Sequence, residues 1–150
     1  MFFWKKTFYK KFIEQRKTGF PLLIFVAEID FGQDFAKNLQ EKFQKERMAF
    51  VASTTKSRKT IVEAFRKKQV SILITTSILE RGVTFSSIDV FVINSEHPNF
   101  TKSALIQMVV RVGRDSKRPT GLVSFFHSGK SLAMCQAQKE IKKMNQLGGF

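Results

Sequence analysis

Short apolar runs alternate with amphipathic stretches along this 150-residue chain, and this alternation limits the possible folds more than any other feature. Uncharged runs such as Leu22-Leu23-Ile24-Phe25-Val26 are typical of strands that are covered on both faces. The stretches between them repeat apolar residues every three or four positions, which predicts helices. Buried strands that alternate with helices predict an α/β fold, with a mostly parallel sheet flanked by helices.

The boundaries of these elements follow from the pattern and from the residues that start and stop helices. Thr101 suits the N-cap of one helix, and the first helix ends before Gly19, with Pro21 just beyond it. We assign residues 1–18 to a basic N-terminal helix that leads into one domain at residues 19–150. Strands are predicted at residues 22–26, 48–52, 71–75, 89–94 and 121–127, and helices at residues 2–18, 31–46, 57–68, 101–110 and 130–146.

The charge of the chain favours a polyanionic partner. Lys and Arg number 26 against 12 Asp and Glu, which gives a formal net charge of +14. Nucleic acid is the usual partner of such a surface, although a basic, well-solvated surface would give the same count. The single cysteine, Cys135, agrees with a reducing cytoplasm, and no metal site is expected from the isolated His97 and His127. No apolar run approaches the ~18 residues of a membrane span.

One polar stretch follows the third predicted strand, where the loops of a parallel sheet form binding sites. It reads Thr75-Thr76-Ser77-Ile78-Leu79-Glu80-Arg81-Gly82-Val83-Thr84. Its hydroxyls and backbone N–H groups suit phosphate oxygens, and Gly82 permits the close approach of a ligand or a positive φ. An ordinary turn capped by Thr75 or Thr76 is the alternative interpretation.

A second stretch, Gln107-Met108-Val109-Val110-Arg111-Val112-Gly113-Arg114, leaves the fourth predicted helix. Arg111 and Arg114 are three residues apart, so both can point to one side of a helical turn, and Gly113 lets the chain bend between them. Two forked guanidinium groups can hold a triphosphate and stabilise charge in its transition state. Two surface arginines that complement a helix dipole would show the same spacing.

Together, the two stretches resemble motifs V and VI of the superfamily-two helicases. The second matches Gln-x-x-Gly-Arg-x-Gly-Arg at Gln107, Arg111, Gly113 and Arg114, and departs from it at Val110, where glycine is expected. Residues 74–84, 100–107, 125–127 and 139–145 are also similar to the ComFA family of bacterial competence proteins. The resemblance covers about residues 19–147, and it implies the second RecA-like lobe of a helicase, a P-loop NTPase-like fold.

The resemblance implies an ATP-dependent translocase or helicase that handles single-stranded DNA during competence. In such a motor Arg114 would be the arginine finger on the γ-phosphate, Arg111 would lie beside it, and Gln107 would couple the nucleotide site to the strand site. By the same likeness, the residues at the nucleotide cleft would be Glu80, Gly82 and Gly113, and those on the nucleic-acid backbone would be Thr75 and Thr76.

Hydroxyl and basic residues around the start of the third predicted helix can also contact a strand backbone: Ser53, Thr54, Arg58 and Lys59. Neutralising phosphates at these positions would give a steep salt dependence, without any reading of the base sequence. A solvated helix face is the alternative interpretation of the same residues.

The sequence contains no Gly-x-x-x-x-Gly-Lys-Ser/Thr P-loop and no Asp-Glu-x-Asp/His box. ATP and Mg²⁺ would therefore be held mainly by another lobe, and we expect the isolated chain not to hydrolyse ATP. We interpret the chain as a fragment of a longer reading frame or as the product of a broken gene.

The expected partners are single-stranded DNA, an N-terminal P-loop lobe and other competence proteins at the membrane. The expected location is the cytoplasm or the inner face of the membrane. A non-catalytic nucleic-acid-binding module and a lobe of an RNA helicase are the alternatives.

Overall fold

The structure is a computed structural model, and it describes residues 5–52, 54–76, 85–86, 88–110, 112–113, 123–127, 135–137 and 139. Residues 135–137 and 139 are helical and fall within the helix predicted at 130–146. None of the described helices is long and apolar enough to cross a membrane. In chain order the elements are α1 (Lys5–Thr18), β1 (Leu22–Phe25), α2 (Ile29–Lys42), β2 (Met48–Val51), α3 (Arg58–Arg66), β3 (Ile72–Thr75), β4 (Phe85–Ser86), β5 (Asp89–Ile93), α4 (Lys102–Val110), β6 (Val112–Gly113) and β7 (Val123–Phe126).

Five of these strands form one parallel sheet in the order β2-β3-β1-β5-β7. Each coincides with a predicted strand, and the prediction of an α/β fold with a parallel sheet and flanking helices is confirmed. β4 and β6 form a separate parallel pair that the sequence did not predict. Each of these two strands has two residues, which is too short to show an apolar run or an alternation.

Apolar side chains cover both faces of the five-stranded sheet. Along β1, Leu23 and Phe25 point to one face while Leu22 and Ile24 point to the other, as the two-residue period of a strand requires. The first face packs against α3 and α4, and the second face packs against α1 and α2. The central strand is therefore buried on both sides, which explains its continuous apolar sequence.

Helix α1 belongs to this core. Phe8 and Phe12 are buried, and the Phe8 ring centroid lies 5.4 Å from that of Phe35 and 6.0 Å from that of Phe91. The helix thus contributes aromatic contacts both to α2 and to the sheet. The domain boundary that we place between residues 18 and 19 stays a prediction.

A buried polar contact also ties α1 to the sheet. Gln15 Nε2 donates to Asp89 Oδ2 at 2.9 Å and to the carbonyl oxygen of Phe20 at 2.9 Å. Gln15 and Asp89 are both almost fully buried, and a carboxylate is tolerated in such a place only where hydrogen bonds replace water. The contact therefore holds the end of α1 against the start of β5.

Helix α2 ends at Lys42, four residues before its predicted end, because the side chain of Gln40 forms hydrogen bonds with backbone carbonyl groups that follow the helix. Gln40 Nε2 donates to the carbonyl oxygens of Phe43 at 3.1 Å and of Glu46 at 2.9 Å. These bonds stabilise a turn at residues that would otherwise continue the helix.

Helix α3 also ends early, in a Schellman motif. The N–H of Gln69 donates to the carbonyl oxygen of Ala64 at 2.8 Å, and that of Lys68 donates to Phe65 at 3.0 Å. Lys68 has a φ of 65°, in the left-handed region that this motif requires and that glycine usually occupies.

Gly32 allows α2 to approach the sheet closely. A Cβ atom at this position would lie 2.5 Å from Phe50 Cε1 and 2.7 Å from Val26 Cγ2. Overpacking costs about 1–3 kcal/mol, and the higher helix propensity of alanine offsets up to about 1 kcal/mol of that cost. We therefore expect Gly32→Ala to lower the free energy of unfolding by about 1 kcal/mol or more, as measured by urea titration. Gln33→Ala, at the exposed neighbouring position, is the control; a Gly32→Ala variant as stable as this control would contradict the close approach.

Candidate functional site at the carboxyl edge of the sheet

The carboxyl ends of β1, β2 and β3 lie side by side. Thr75, the last residue of β3, is in register with Phe25 of β1 and with Val51 of β2. The N–H of Val26 donates to the carbonyl oxygen of Thr75 at 3.0 Å, which extends the pairing by one residue. The loops that follow the three strands are therefore neighbours at one edge of the sheet.

A crevice is expected at the same edge, between the neighbouring strands β1 and β5. β1 leads into α2, which covers one face of the sheet, whereas β5 leads towards α4, which covers the other. In open α/β sheets, ligands bind where adjacent strands continue to opposite faces. The candidate site therefore lies beyond Phe25 and Ile93.

Two contacts cross this crevice. His97 Nε2 lies 2.8 Å from Glu28 Oε1, and Asn99 Nδ2 donates to the carbonyl oxygen of Ala27 at 3.1 Å. The N–H of Asn99 donates to His97 Nδ1 at 3.1 Å, so Nδ1 is the acceptor and Nε2 carries the proton that faces Glu28. The sequence led us to weigh His97 as a metal ligand, and this pairing was not predicted.

Two of the residues predicted to contact a nucleic-acid backbone lie at the end of β3: Thr75 is its last residue, and Thr76 follows it. Thr75 has no exposed surface, while Thr76 is half-buried at the edge itself. Of the two, only Thr76 has surface that a ligand at this edge could contact.

The predicted backbone contacts after β2 lie at the same edge. Thr54 is exposed in a tight turn, in which the Thr55 hydroxyl accepts the N–H of Ala52 at 2.8 Å. Arg58 and Lys59 occupy the first turn of α3, where Arg58 is half-buried and Lys59 is exposed. The structure thus brings Thr54, Thr76 and the start of α3 to one edge, and Ser53 lies outside the described residues.

The residues predicted to act on the nucleotide are only partly described. Arg111, Arg114, Glu80 and Gly82 lie outside the described residues. Gln107 is half-buried on α4, with its Nε2 atom 3.5 Å from Ser103 Oγ, and Gly113 lies in β6.

The pair formed by β4 and β6 joins the ends of the two helicase-like stretches. Phe85 is in parallel register with Val112, and Ser86 with Gly113. Phe85 directly follows the stretch at residues 75–84, and Val112 and Gly113 stand between the two arginines of the second stretch. Paired strands lie about 4.8 Å apart, so the backbones of the two stretches meet at this point.

The valine that departs from the helicase pattern has an ordinary backbone. Val110 is the last residue of α4, and it is not among the residues with positive φ. Glycine is therefore not required by the backbone conformation at this position.

The acidic and histidine side chains that the structure describes do not cluster as metal ligands do. Among the described residues, no group of three or more His, Cys, Asp or Glu side chains could hold a metal ion. The only described pair of this kind in the crevice is Glu28 with His97, and two ligands fall short of a metal site.

Known proteins are similar in sequence to this chain over nearly its whole length. The helicase conserved C-terminal domain family matches residues 4–116. Competence protein ComFA of Streptococcus pneumoniae is 52% identical over 142 residues, which cover 94% of this chain and 33% of that protein. ComFA of Bacillus subtilis is 40% identical over 139 residues, which cover 92% of this chain and 30% of that protein. The chain thus spans about one third of the length of these relatives.

The fold has counterparts among solved structures. Mss116p DEAD-box helicase domain 2, solved bound to an RNA duplex, superposes with a TM-score of 0.64 at 22% identity, over 81% of this chain and 48% of that chain. At this identity the likeness shows the fold alone, which is that of a RecA-like helicase C-terminal domain. The resemblance to the helicase lobe, drawn from residues 75–84 and 107–114, is confirmed. The resemblance to ComFA, drawn from residues 74–84, 100–107, 125–127 and 139–145, is confirmed as well. The chain belongs to the helicase conserved C-terminal domain family.

Proposed function

We propose that the chain is the C-terminal lobe of an ATP-dependent translocase or helicase that acts on single-stranded DNA during competence. The observation that carries the motor function is the pairing of β4 with β6, because it joins the ends of the two helicase-like stretches. The similarity to the ComFA proteins supports the role in competence. Such a motor works in the cytoplasm or at the inner face of the membrane, with other competence proteins as partners.

In this proposal the chain supplies cations to a nucleotide that another lobe holds. The P-loop lobe binds ATP and Mg²⁺, and the guanidinium of Arg114 stabilises the charge that develops on the γ-phosphate. Arg111 lies beside it, and Gln107 couples the nucleotide to the strand. Glu80, Gly82 and Gly113 line the cleft.

The carboxyl edge of the sheet provides the strand contacts of this motor. Thr54 and Thr76 offer hydroxyls, Arg58 and Lys59 offer cations, and all four lie at that edge. Ser53 and Thr75 complete the set that the sequence indicates, although the burial of Thr75 favours Thr76 as the direct contact. Because the contacts are to phosphate and sugar, the strand is bound without regard to its sequence.

The motor function is tested by joining the two halves. The isolated chain should not hydrolyse ATP with or without single-stranded DNA, because the sequence contains no P-loop. Addition of a separately produced ComFA P-loop lobe should give turnover that DNA stimulates. If the pair binds the strand but never hydrolyses ATP, the chain is a non-catalytic nucleic-acid-binding module. Clear turnover by the isolated chain would refute the division of labour between the lobes.

Salt dependence tests the strand contacts at the start of α3. Lys56 and Lys59 are exposed on the loop and first turn of this helix. Because each phosphate contact contributes about 0.7 to the slope of log K against log salt for single strands, the Lys56→Gln/Lys59→Gln variant should lower that slope by about 1.4. Fluorescence anisotropy with a labelled oligonucleotide measures it. Lys37→Gln, at an exposed position of α2, is the control. An equal effect of this control would contradict a strand contact at this edge.

Competition between DNA and RNA strands of the same sequence distinguishes the DNA motor from a lobe of an RNA helicase. For a DNA motor, unlabelled DNA should displace a labelled DNA strand from the chain at least as effectively as unlabelled RNA does. A marked preference for RNA would assign the lobe to an RNA helicase, since contacts to the 2′-hydroxyl separate the two polymers.

A further inference from the structure

A cationic pocket lies at the opposite, amino edge of the sheet. It has a volume of about 300 Å³, and it forms where α1 ends, where α2 leads into β2 and where α3 leads into β3. The side chains that define it are Arg16, Lys45, Glu46, Arg47, Lys68 and Ser71. The strands between the two edges have about four residues, so the pocket lies about 13 Å or more from the candidate site described above.

The single carboxylate of this pocket is already neutralised. Glu46 Oε1 lies 3.2 Å from Arg16 Nε, and Glu46 Oε2 accepts the Ser71 hydroxyl at 3.1 Å. Both oxygens are therefore engaged, and the charges of Lys45, Arg47 and Lys68 are left without compensation inside the pocket.

The guanidinium of Arg47 is exposed, and one hydrogen bond orients it. Its Nη2 atom donates to the carbonyl oxygen of Lys68 at 3.3 Å, and its backbone N–H donates to Ser71 Oγ at 3.2 Å. A guanidinium fixed by one donor presents its remaining donors at low entropic cost, which suits the fork of oxygens on a phosphate. Lys45 and Lys68 make no ion pair with any residue that the structure describes.

Arg16 adds a buried donor with poor alignment. The 3.2 Å approach of its Nε atom to Glu46 is an electrostatic contact, but the N–H does not point at the oxygen, so this buried N–H lacks a hydrogen-bond acceptor among the described residues. A buried donor without an acceptor is uncommon in proteins, and a ligand oxygen is one way of satisfying it.

The preference for basic residues near helix C-termini accounts for only some of the positive charges in this pocket. Arg16, in the last turn of α1, donates from Nη1 to the carbonyl oxygen of Phe20, and Arg47 donates to that of Lys68 just beyond α3, as basic residues near helix C-termini often do. Lys68, in contrast, stands in the left-handed position of the Schellman motif, where glycine would cost about 1 kcal/mol less. The side chain of Lys68 therefore has no evident role in ending the helix.

We propose that this amino-edge pocket binds a phosphate group, separately from the site at the carboxyl edge. The ligand is an anionic phosphate group, such as pyrophosphate, the phosphate end of a nucleotide or the phosphate of a DNA strand. Arg47 and Arg16 donate to its oxygens, and the ammonium groups of Lys45 and Lys68 compensate its remaining charge.

Titration of the whole chain with pyrophosphate at low ionic strength tests the pocket. Calorimetry should show saturable binding to one site, and the amide resonances of Gly19, Arg47 and Ser71 should shift. The Lys45→Gln/Lys68→Gly variant should bind about tenfold more weakly, because two cations beside a dianion are lost. Glu46→Gln should bind more tightly, because it removes the carboxylate that competes for Arg16.

Two controls separate the site from general charge and from misfolding. Lys37→Gln removes one exposed cation from α2 and should bind pyrophosphate as the unmodified chain does. Lys68→Gly should melt at the same or a higher temperature, because glycine relieves the left-handed backbone. Equal affinities of the unmodified chain and the Lys45→Gln/Lys68→Gly variant would overturn the proposal, as would shifts confined to the carboxyl edge.

Short oligonucleotides identify the source of the phosphate. A strand with a 5′-phosphate that displaces pyrophosphate better than the same strand with a 5′-hydroxyl would indicate terminal phosphates. Equal displacement by both would indicate the phosphodiester backbone, and no displacement would indicate a free phosphate or nucleotide. Each of these three results supports the pocket, and none depends on ATP turnover, so the pocket and the motor function can fail independently.

Discussion

Arg114→Ala is expected to lower DNA-stimulated ATP turnover by about 10³–10⁵-fold when the chain is combined with a P-loop lobe. An arginine finger stabilises the charge on the transferred phosphoryl group in the transition state, and alanine leaves that charge without a partner. Binding of single-stranded DNA should be unchanged, because the strand contacts proposed here come from the loops after β2 and β3 and from α3. Steady-state ATPase and anisotropy on the same samples measure both quantities.

The matched control for this experiment is Arg66→Ala. Arg66 is exposed at the end of α3, and its Nη1 atom lies 3.8 Å from Glu63 Oε2, a weak surface pair. Its loss should leave turnover within about twofold of the unmodified chain. If Arg114→Ala retains turnover like this control, Arg114 is not the finger, whereas loss of strand binding by Arg114→Ala would point to a structural role.

Phe8→Ala is expected to lower the free energy of unfolding by about 3–5 kcal/mol, as measured by urea or thermal unfolding. The Phe8 side chain is 1% exposed, and its ring contacts those of Phe12, Phe35, Phe91 and Phe126 at centroid distances between 5.4 and 6.0 Å. Alanine would leave a cavity between α1, α2 and the sheet, and such a cavity collapses only in part.

Ile13→Ala on the same helix provides the control. Ile13 is 45% exposed, so its truncation should cost less than about 1 kcal/mol. The comparison also tests how residues 1–18 relate to the rest of the domain. If Phe8→Ala costs no more than Ile13→Ala, α1 is a dispensable lead-in, and its packing on the sheet does not contribute to stability.

The strands of the sheet could be predicted from the sequence because burial on both faces removes charge from them. Leu22–Phe25 and Ile72–Thr75 are buried throughout, and their apolar runs are unmistakable. The ends of α2 and α3 could not be predicted as well. They depend on single hydrogen bonds, such as those of Gln40 and of the Lys68 turn, which leave no periodic pattern.

The candidate site likewise combines features that local sequence can predict with features that depend on tertiary structure. Spacing within one stretch singled out Arg111 and Arg114 as neighbours on a helical turn. That turn does not form, because α4 ends at Val110 and Val112 and Gly113 belong to strand β6. The contact between Glu28 and His97 joins residues 69 positions apart, and only the order of the strands brings them together. The pairing of β4 with β6 depends likewise on tertiary structure, since two-residue strands carry almost no local preference.

The position of β1 in the sheet has a consequence for synthesis on the ribosome. β1 is an early segment of the chain, yet both of its partners, β3 and β5, are translated later. In a nascent chain, the apolar strand Leu22–Phe25 therefore has both edges unpaired until Thr75 has emerged from the exit tunnel, and one edge unpaired until Ile93 has emerged. Such parallel pairing between distant segments folds slowly and favours aggregation, so the growing polypeptide should depend on chaperones until β5 is complete.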